Sequence, residues 1–281
     1  MTTDSSSSPL VFILDLDGTI IGDCAYQAIL FNIENILKNN KIKAKADNIL
    51  LDSYKPESKL IRPYFKYFIM AIKKHYPNSL FYIYTASEKS WAEKEIKLIE
   101  KTHDFKFNRP LFTRQDCIVD SFGNFRKSVK KILPRIIKAN KKVKIQSNKI
   151  LVIDNNPVFI DYASNFLLCP SYNHILFVSV WERIKKEYLK IIEIYNIITN
   201  LINTNKIFKI SHHNIKPTNG KLLEQQHKWL YKKHKKLNLI NKKYSNDMFW
   251  KTLATTIIEK KLTSFDKQNV EYLQSQFPLN S

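Results

Sequence analysis

LVFILDLDGT, residues 10–19, is the stretch whose reading decides the fold. An apolar, β-prone run from Leu10 to Leu14 breaks off into Asp15-Leu16-Asp17-Gly18-Thr19. Such a run without polar alternation is the pattern of a strand buried on both faces of a parallel sheet, and its abrupt end marks a loop at the carboxyl edge. The same figure returns downstream. Leu80 to Tyr84 ends in Thr85-Ala86-Ser87, Ile150 to Ile153 ends in Asp154-Asn155-Asn156-Pro157, and a further strand is expected from Ile175 to Val180. Helical spacing of apolar residues predicts helices over Tyr26 to Leu37, Pro63 to His75, about Ser90 to Lys101 and Glu182 to Leu201. Ser87 or Ser90 is positioned to cap the third of these. Another helix is expected from about Phe125 to Ala139, which Pro134 should kink or split. Strand and helix in alternation imply an α/β fold: a central parallel sheet, Rossmann-like, with helices on both faces.

Composition bounds the rest. The chain has 281 residues, 44% of them hydrophobic and 12% aromatic, too apolar for a disordered protein and long enough for a full core. No apolar run reaches the ~18 residues of a membrane span, so a soluble chain with no membrane partner is expected. The opening MTTDSSSSPL lacks the basic and apolar regions of a signal peptide, and residues 1–9 read as a disordered leader. Cys24, Cys117 and Cys169 are widely spaced and in no metal pattern, which points to reduced thiols inside the cell, nuclear or cytoplasmic, and not to a secreted protein. Lys and Arg number 46 against 25 acidic residues, a formal charge of +21 carried almost wholly by lysine. Lysine supplies a point-charge field without the forked recognition of arginine, so the charge alone is a weak argument for nucleic acid. From about Asn205 strands give way to Lys-rich helical segments. The expected division is therefore 1–9 leader, 10–204 α/β domain and 205–281 basic helical extension. Within that extension His227 to Lys236 mixes cations with aromatics and can hold nucleic acid or an acidic tail. The competing expectation is that Trp229, Leu230, Phe249 and Trp250 pack onto the α/β domain.

Ligands of open parallel sheets bind beyond the carboxyl ends of the strands. Those ends carry Asp15 and Asp17, Thr85, and Asp154 with Asn155. Residues i and i+2 of an extended segment face one side, so one of the two leading carboxylates can attack a substrate while the other handles the proton. A carboxylate attacking phosphorus gives an aspartyl-phosphate. Several carboxylates facing a phosphate call for a hard cation, and Asp15 with Asp154 suit Mg²⁺. The Thr85 hydroxyl and a lysine near Phe125 fit as donors to the phosphoryl oxygens. A plain turn with solvated carboxylates remains the alternative for Asp15 to Thr19 taken alone, as a solvated helix face does for Lys127 among Arg126, Lys130 and Lys131.

Taken in order, these motifs resemble the haloacid dehalogenase superfamily of aspartate-nucleophile phosphatases. Within it they are most similar to the branch that dephosphorylates the C-terminal domain of RNA polymerase II. The resemblance is carried by Asp15-Leu16-Asp17-Gly18-Thr19, Arg62-Pro63, Thr85-Ala86-Ser87, Leu111 to Cys117, Gly123-Asn124-Phe125-Arg126-Lys127 and Asp154-Asn155-Asn156-Pro157, and covers roughly Leu10 to Leu201. It implies Asp15 as nucleophile and Asp17 as general acid and then base. It also implies Thr85 and Lys127 on the phosphoryl oxygens, with Mg²⁺ held by Asp15, the Asp17 carbonyl, Asp154 and Asn155. Gly18, Asn156 and the length of Thr19 to Ile61 depart from that branch. The implied activity is a Mg²⁺-dependent phosphoserine/phosphothreonine phosphatase acting on a phosphorylated protein tail, such as that of RNA polymerase II. Two alternatives stay open at this level: the same chemistry on a nucleic-acid 3′-phosphate or a small phosphoester, and a non-catalytic binding module on the same fold.

Overall fold

A computed structural model describes residues 8–22, 53–141, 143–174, 239 and 241–278. The chain divides into two compact units. The first comprises Met1–Ile21, Ile61–Tyr172 and Asp247–Ser281; the second comprises Gly22–Leu60 and Asn173–Asn246.

The first unit is built on a four-stranded sheet, β1 (Val11–Leu14), β2 (Leu80–Ile83), β5 (Ile150–Asp154) and β6 (Phe166–Leu168), in the order β2-β1-β5-β6 and parallel throughout. Val11 pairs with both Leu80 and Ile150, and Leu14 with both Ile83 and Ile153, so three strands end level. That level register is what brings Asp15, Thr85 and Asp154 to one edge. Every residue of β1 is fully buried, because helices cover both faces.

Alternation along β1 separates two cores. Phe12 faces a set of rings, stacked on Phe81 at 5.0 Å and edge-on to Phe68 at 5.4 Å. Val11 and Ile13 face the opposite way, into a cluster with Tyr82, Tyr84, Phe112, Val129, Ile132 and Ile136. Helix α1 (Phe65–His75) buries Phe65, Phe68, Ile69 and Ile72, the helical stripe expected from its sequence. Its first residue follows Tyr64, which is left-handed at φ 64°, so Pro63 lies outside the helix. Helix α2 (Lys89–His103) starts without a side-chain cap. The serine expected there is engaged elsewhere, as described below.

Three expectations change in this unit. Phe125 and Arg126 are not helical: they form β4 (Phe125–Arg126), antiparallel to β3 (Ile118–Val119), and helix α3 (Val129–Ala139) begins only after Lys127. Pro134 lies inside α3 without ending it; the carbonyl that loses its partner belongs to Lys130, an exposed residue. The fourth strand of the described sheet is β6, three residues long and too short for its apolar pattern to stand out. The strand expected from Ile175 to Val180 and the helices expected over Tyr26 to Leu37 and Glu182 to Leu201 lie outside the described residues, as do residues 1–7 of the leader.

The boundary expected at 205 lies outside the described residues, but the described end of the expected extension belongs to the first unit. Helix α4 (Phe249–Glu259) lies against α1, and Trp250 is fully buried with its ring 5.0 Å from Phe65 and 4.8 Å from Phe68. Helix α5 (Lys267–Ser275) covers the outer edge of β6, where the Gln274 amide accepts from the Leu168 N–H and donates to the Leu168 carbonyl. Between them Phe265 meets Phe12 at 5.5 Å, and its carbonyl accepts from the buried Asn165 amide. These aromatic side chains contribute about 2–3 kcal/mol each by leaving water, so residues 247–278 contribute to the sheet's core. Trp229, Leu230 and the segment His227 to Lys236 lie outside the described residues.

In the second unit, Gly22 donates its N–H to the Leu60 carbonyl and lies against the His174 carbonyl, 2.2 Å from where a side-chain carbon would stand. No side chain fits there. Among the described residues no helix is long and apolar enough to cross a membrane.

Candidate active site

The Asp15 N–H continues the β1–β5 ladder by donating to the Ile153 carbonyl, which fixes the first carboxylate at the strand end. The chain then folds on itself, with the N–H groups of Ile20 and Ile21 both donating to the Leu16 carbonyl. Gly18 makes this turn possible at φ +79°, and a side-chain carbon there would lie 2.7 Å from the Asn155 amide nitrogen. Glycine adopts this backbone without strain and leaves room for the Asn155 amide.

Lys127 reaches this edge from the short segment between β4 and α3. Its Nζ donates to Asp15 Oδ1 at 2.5 Å and to Asp154 Oδ2 at 2.7 Å. The amine is buried, with the Tyr84 and Phe159 rings 5.7 and 5.6 Å away. Burial opposes its charge, but Asp15 and Asp154 outweigh it and hold the amine's pKa above the ordinary lysine value. The neighbouring cations go elsewhere. Arg126 pairs with Asp120, Lys131 donates to the Cys117 carbonyl, and Lys130 is exposed.

Asp17 lies two residues beyond Asp15. Its Oδ2 accepts from Ser87 Oγ at 2.5 Å and from Thr85 Oγ1 at 3.3 Å, while its Oδ1 is buried with no hydrogen-bond partner among the described residues. Burial, reinforced by the nearby Asp15 charge, pushes its carboxyl up to about 6. Asp154 is pushed up to about 7 by burial and by Asp15, against the opposing pull of Lys127. Its Oδ1 accepts from the Asn156 N–H, a turn that holds the carboxylate toward Lys127.

The structure thus brings Asp15, Lys127 and Asp154 into direct contact, and Asp17 with Thr85 beside them. Asn155 stands differently. Its side-chain carbonyl accepts from Thr19 Oγ1 and its amide donates to Ser171 Oγ, so it ties the two strand-end loops together. Thr85 is turned to Asp17 and to the Ser87 N–H. Ser87 is the residue that sequence reasoning misplaced. Expected as a helix cap, it holds Asp17, and its i+2 spacing from Thr85 was the signal that both face one side.

Oxygen donors of this kind suit a hard cation. Three carboxylates around one buried amine leave an excess of negative charge, and Asp17 Oδ1 is an orphaned oxygen within it. Among the described residues no three His, Cys, Asp or Glu side chains close into a metal cage. Mg²⁺ does not need one, since it keeps waters and takes one or two carboxylates. Asp15, Asp154 and a backbone carbonyl fit that habit.

A family model described as NLI interacting factor-like phosphatase matches residues 10–205. No curated protein matches the chain by sequence. Two solved structures of the RNA polymerase II CTD phosphatase Fcp1 are similar in part. One, from fission yeast with beryllium fluoride bound, has 17% identity and a TM-score of 0.36, covering 95% of this chain and 70% of that one. The other has 18% identity and a TM-score of 0.37 over the same shares. A phosphoserine phosphohydrolase-like protein from Francisella tularensis has 15% identity and a TM-score of 0.27, covering 63% of this chain and 82% of that one.

Proposed function

The chain belongs to the NLI interacting factor-like phosphatase family, and from that premise we propose that it is a Mg²⁺-dependent phosphoserine/phosphothreonine phosphatase acting on a protein tail through an aspartyl-phosphate. The observation that carries this reading is the contact of Lys127 with Asp15 and Asp154 beside the hydroxyl-held carboxyl of Asp17.

Asp15 attacks phosphorus, forming its carboxylate–phosphorus bond as the bond to the seryl or threonyl oxygen breaks. Lys127 keeps the attacking carboxylate in one orientation and places a positive charge beside the phosphoryl oxygens, where negative charge gathers. Asp17, whose carboxyl stays protonated to a higher pH than an ordinary aspartate, delivers its proton to the leaving oxygen. It then takes a proton from the water that hydrolyses the aspartyl-phosphate, which restores both carboxyls. Ser87 and Thr85 hold Asp17 Oδ2, so the acid is presented in one rotamer through both halves. Mg²⁺, held by Asp15, Asp154 and the Asp17 carbonyl with Asn155 supporting the loop, would neutralise the phosphoryl oxygens so that a carboxylate can approach them.

A protein substrate is supported by a cleft of about 610 Å³ that opens one residue from Ser87, lined by Glu88, Lys89, Ser90, Glu93, Arg114 and Gln115. An extended chain has room there. A phosphorylated tail such as that of RNA polymerase II is an acidic partner for a chain of charge +21.

The test is phosphate release from phosphoserine peptides, phosphotyrosine peptides and 3′-phosphorylated oligonucleotides, with and without chelator and with Asp15→Asn as control. Release from phosphoserine peptides that stops with chelation and in Asp15→Asn is expected. Faster release from the oligonucleotides would move the substrate to nucleic acid, and no release from any ester would leave a binding module.

A further inference from the structure

A buried ion pair outside the catalytic cluster ties the C-terminal helices to the loops of the site. Arg62, 1% exposed in its side chain, donates from Nε and Nη2 to the two oxygens of Asp247 at 2.9 and 2.8 Å. Asp247 lies beyond residues 10–205, the span the family model matches. The third nitrogen, Nη1, donates to the Pro170 carbonyl at 2.8 Å and lies 3.8 Å from Cys169 Sγ. The guanidinium stacks on Phe249 at 4.5 Å and faces Tyr172 at 5.5 Å. All three of its nitrogens and both of its faces are therefore engaged by Asp247, by Phe249 of α4 or by the loop Cys169–Tyr172.

That loop touches two of the backbone segments that carry the site, those following β1 and β5. The Cys169 N–H donates to the Asp154 carbonyl, and Cys169 Sγ lies 3.7 Å from Thr19 Oγ1. Thr19 Oγ1 donates to the Asn155 side-chain carbonyl, Ser171 Oγ accepts from the Asn155 amide, and the Tyr172 N–H donates to the Gly18 carbonyl. The path from Asp247 to the strand ends of β1 and β5 is thus Asp247, Arg62, Cys169–Tyr172, then Gly18, Thr19, Asp154 and Asn155.

Stability does not explain such a device. A buried ion pair usually returns no more than apolar side chains of the same volume would, whereas a forked arginine–carboxylate contact fixes direction as well as distance. We propose that Asp247 is a positioning residue: by holding Arg62 in register it sets the Cys169–Tyr172 loop, and through that loop the geometry of the Asp15–Thr19 and Asp154–Asn155 backbones toward a divalent cation. The C-terminal helices thereby complete the site without touching substrate. The proposal rests on the phosphatase reading above.

The full-length chain is used throughout. Wild type, Asp247→Asn, Asp247→Glu and Arg62→Lys are titrated with Mg²⁺ alone by calorimetry, and their ester turnover is measured against Mg²⁺. Ile257→Val in the core of α4 serves as a control that loosens the helix packing and touches neither the ion pair nor the loop. Expected are a Mg²⁺ half-saturation raised five-fold or more and a lowered kcat with little change in KM for a small ester, in all three ion-pair variants and not in Ile257→Val. A second readout needs no metal. Thiol labelling located by mass spectrometry should speed up at Cys169 in Asp247→Asn while Cys117, buried in the other core, stays slow.

Ion-pair variants with wild-type Mg²⁺ titrations and unchanged Cys169 labelling would overturn the proposal. So would an Ile257→Val protein that loses Mg²⁺ affinity equally, since the helices would then act through stability alone. Should Asp247→Asn fail to fold, Asp247→Glu decides, because it keeps the charge and displaces the guanidinium by one methylene. A wild-type chain that binds no Mg²⁺ and cleaves no ester would instead overturn the phosphatase reading, and this proposal with it.

Discussion

Asp15 and Asp17 sit two residues apart yet meet different surroundings, and that difference sets their expected roles. Asp15 is bound by the Lys127 amine, whereas Asp17 is bound by the hydroxyls of Ser87 and Thr85. The amine holds Asp15 in one orientation for attack, whereas the buried Asp17 carboxyl keeps its proton to higher pH. Asp15→Asn is therefore expected to abolish Mg²⁺-dependent ester hydrolysis, and Asp17→Asn to lose roughly 10² to 10⁴ in rate, the share of a positioned acid/base. Steady-state kinetics on one ester checks both, and an Asp15→Asn enzyme with wild-type turnover would sink the mechanism. Lys127→Ala should cost on the order of 3 kcal/mol in the chemical step, as one preorganised donor does. Lys131→Ala should leave the rate nearly unchanged, because its amine is spent on the Cys117 carbonyl. Equal losses in the two would mean that the lysines act as a diffuse field and not through the contact with Asp15.

At the scale of elements, Lys127 is placed by what flanks it. On one side is the β3–β4 hairpin, whose turn is held by Asp120 accepting from the N–H groups of Phe122 and Asn124 and from Arg126. The Asn124 N–H, above all, pulls the Asp120 carboxyl down to about 2. A folded value below the ordinary 3.8 means that the hairpin gains from Asp120 above that value and loses the gain as pH falls through about 2. An NMR titration should find that midpoint, and Arg126→Ala should move it upward. On the other side is the start of α3, where Asp161 accepts from Ser128 Oγ and from the N–H groups of Val129 and Lys130. Removing such a cap costs about 1 kcal/mol. Asp161→Ala should thus lower the melting temperature by a few degrees and, because α3 begins two residues after Lys127, also reduce kcat. A melting shift with untouched kcat would show that the cap holds the helix but not the lysine.

For the whole molecule, the decisive element is the last one. The rings of Phe249, Trp250 and Phe265 are part of the sheet's own aromatic core, so a chain ending at Asn246 is expected to aggregate or to melt far below the full chain. Solubility and calorimetry decide this. A truncated protein that melts like the full chain would restore the separable extension that the Lys-rich composition suggested. The sequence left both readings open because charge and helical spacing describe a segment's exposed face, and nothing local says which apolar stripe it covers. What the sequence determined by itself was the catalytic edge. Continuous apolar runs ending in Asp15, Thr85 and Asp154, alternating with helical spacing, read as buried parallel strands, and the level pairing found in the structure brings their ends together. It also pointed to the turn at Gly18, where glycine adopts the left-handed backbone without strain. Only the tertiary structure decided that Ser87 serves Asp17 instead of a helix, and that Arg62 finds Asp247 across 185 residues. Each of these depends on which side chains meet after distant segments pack, and a contact between distant segments leaves no periodicity in either one.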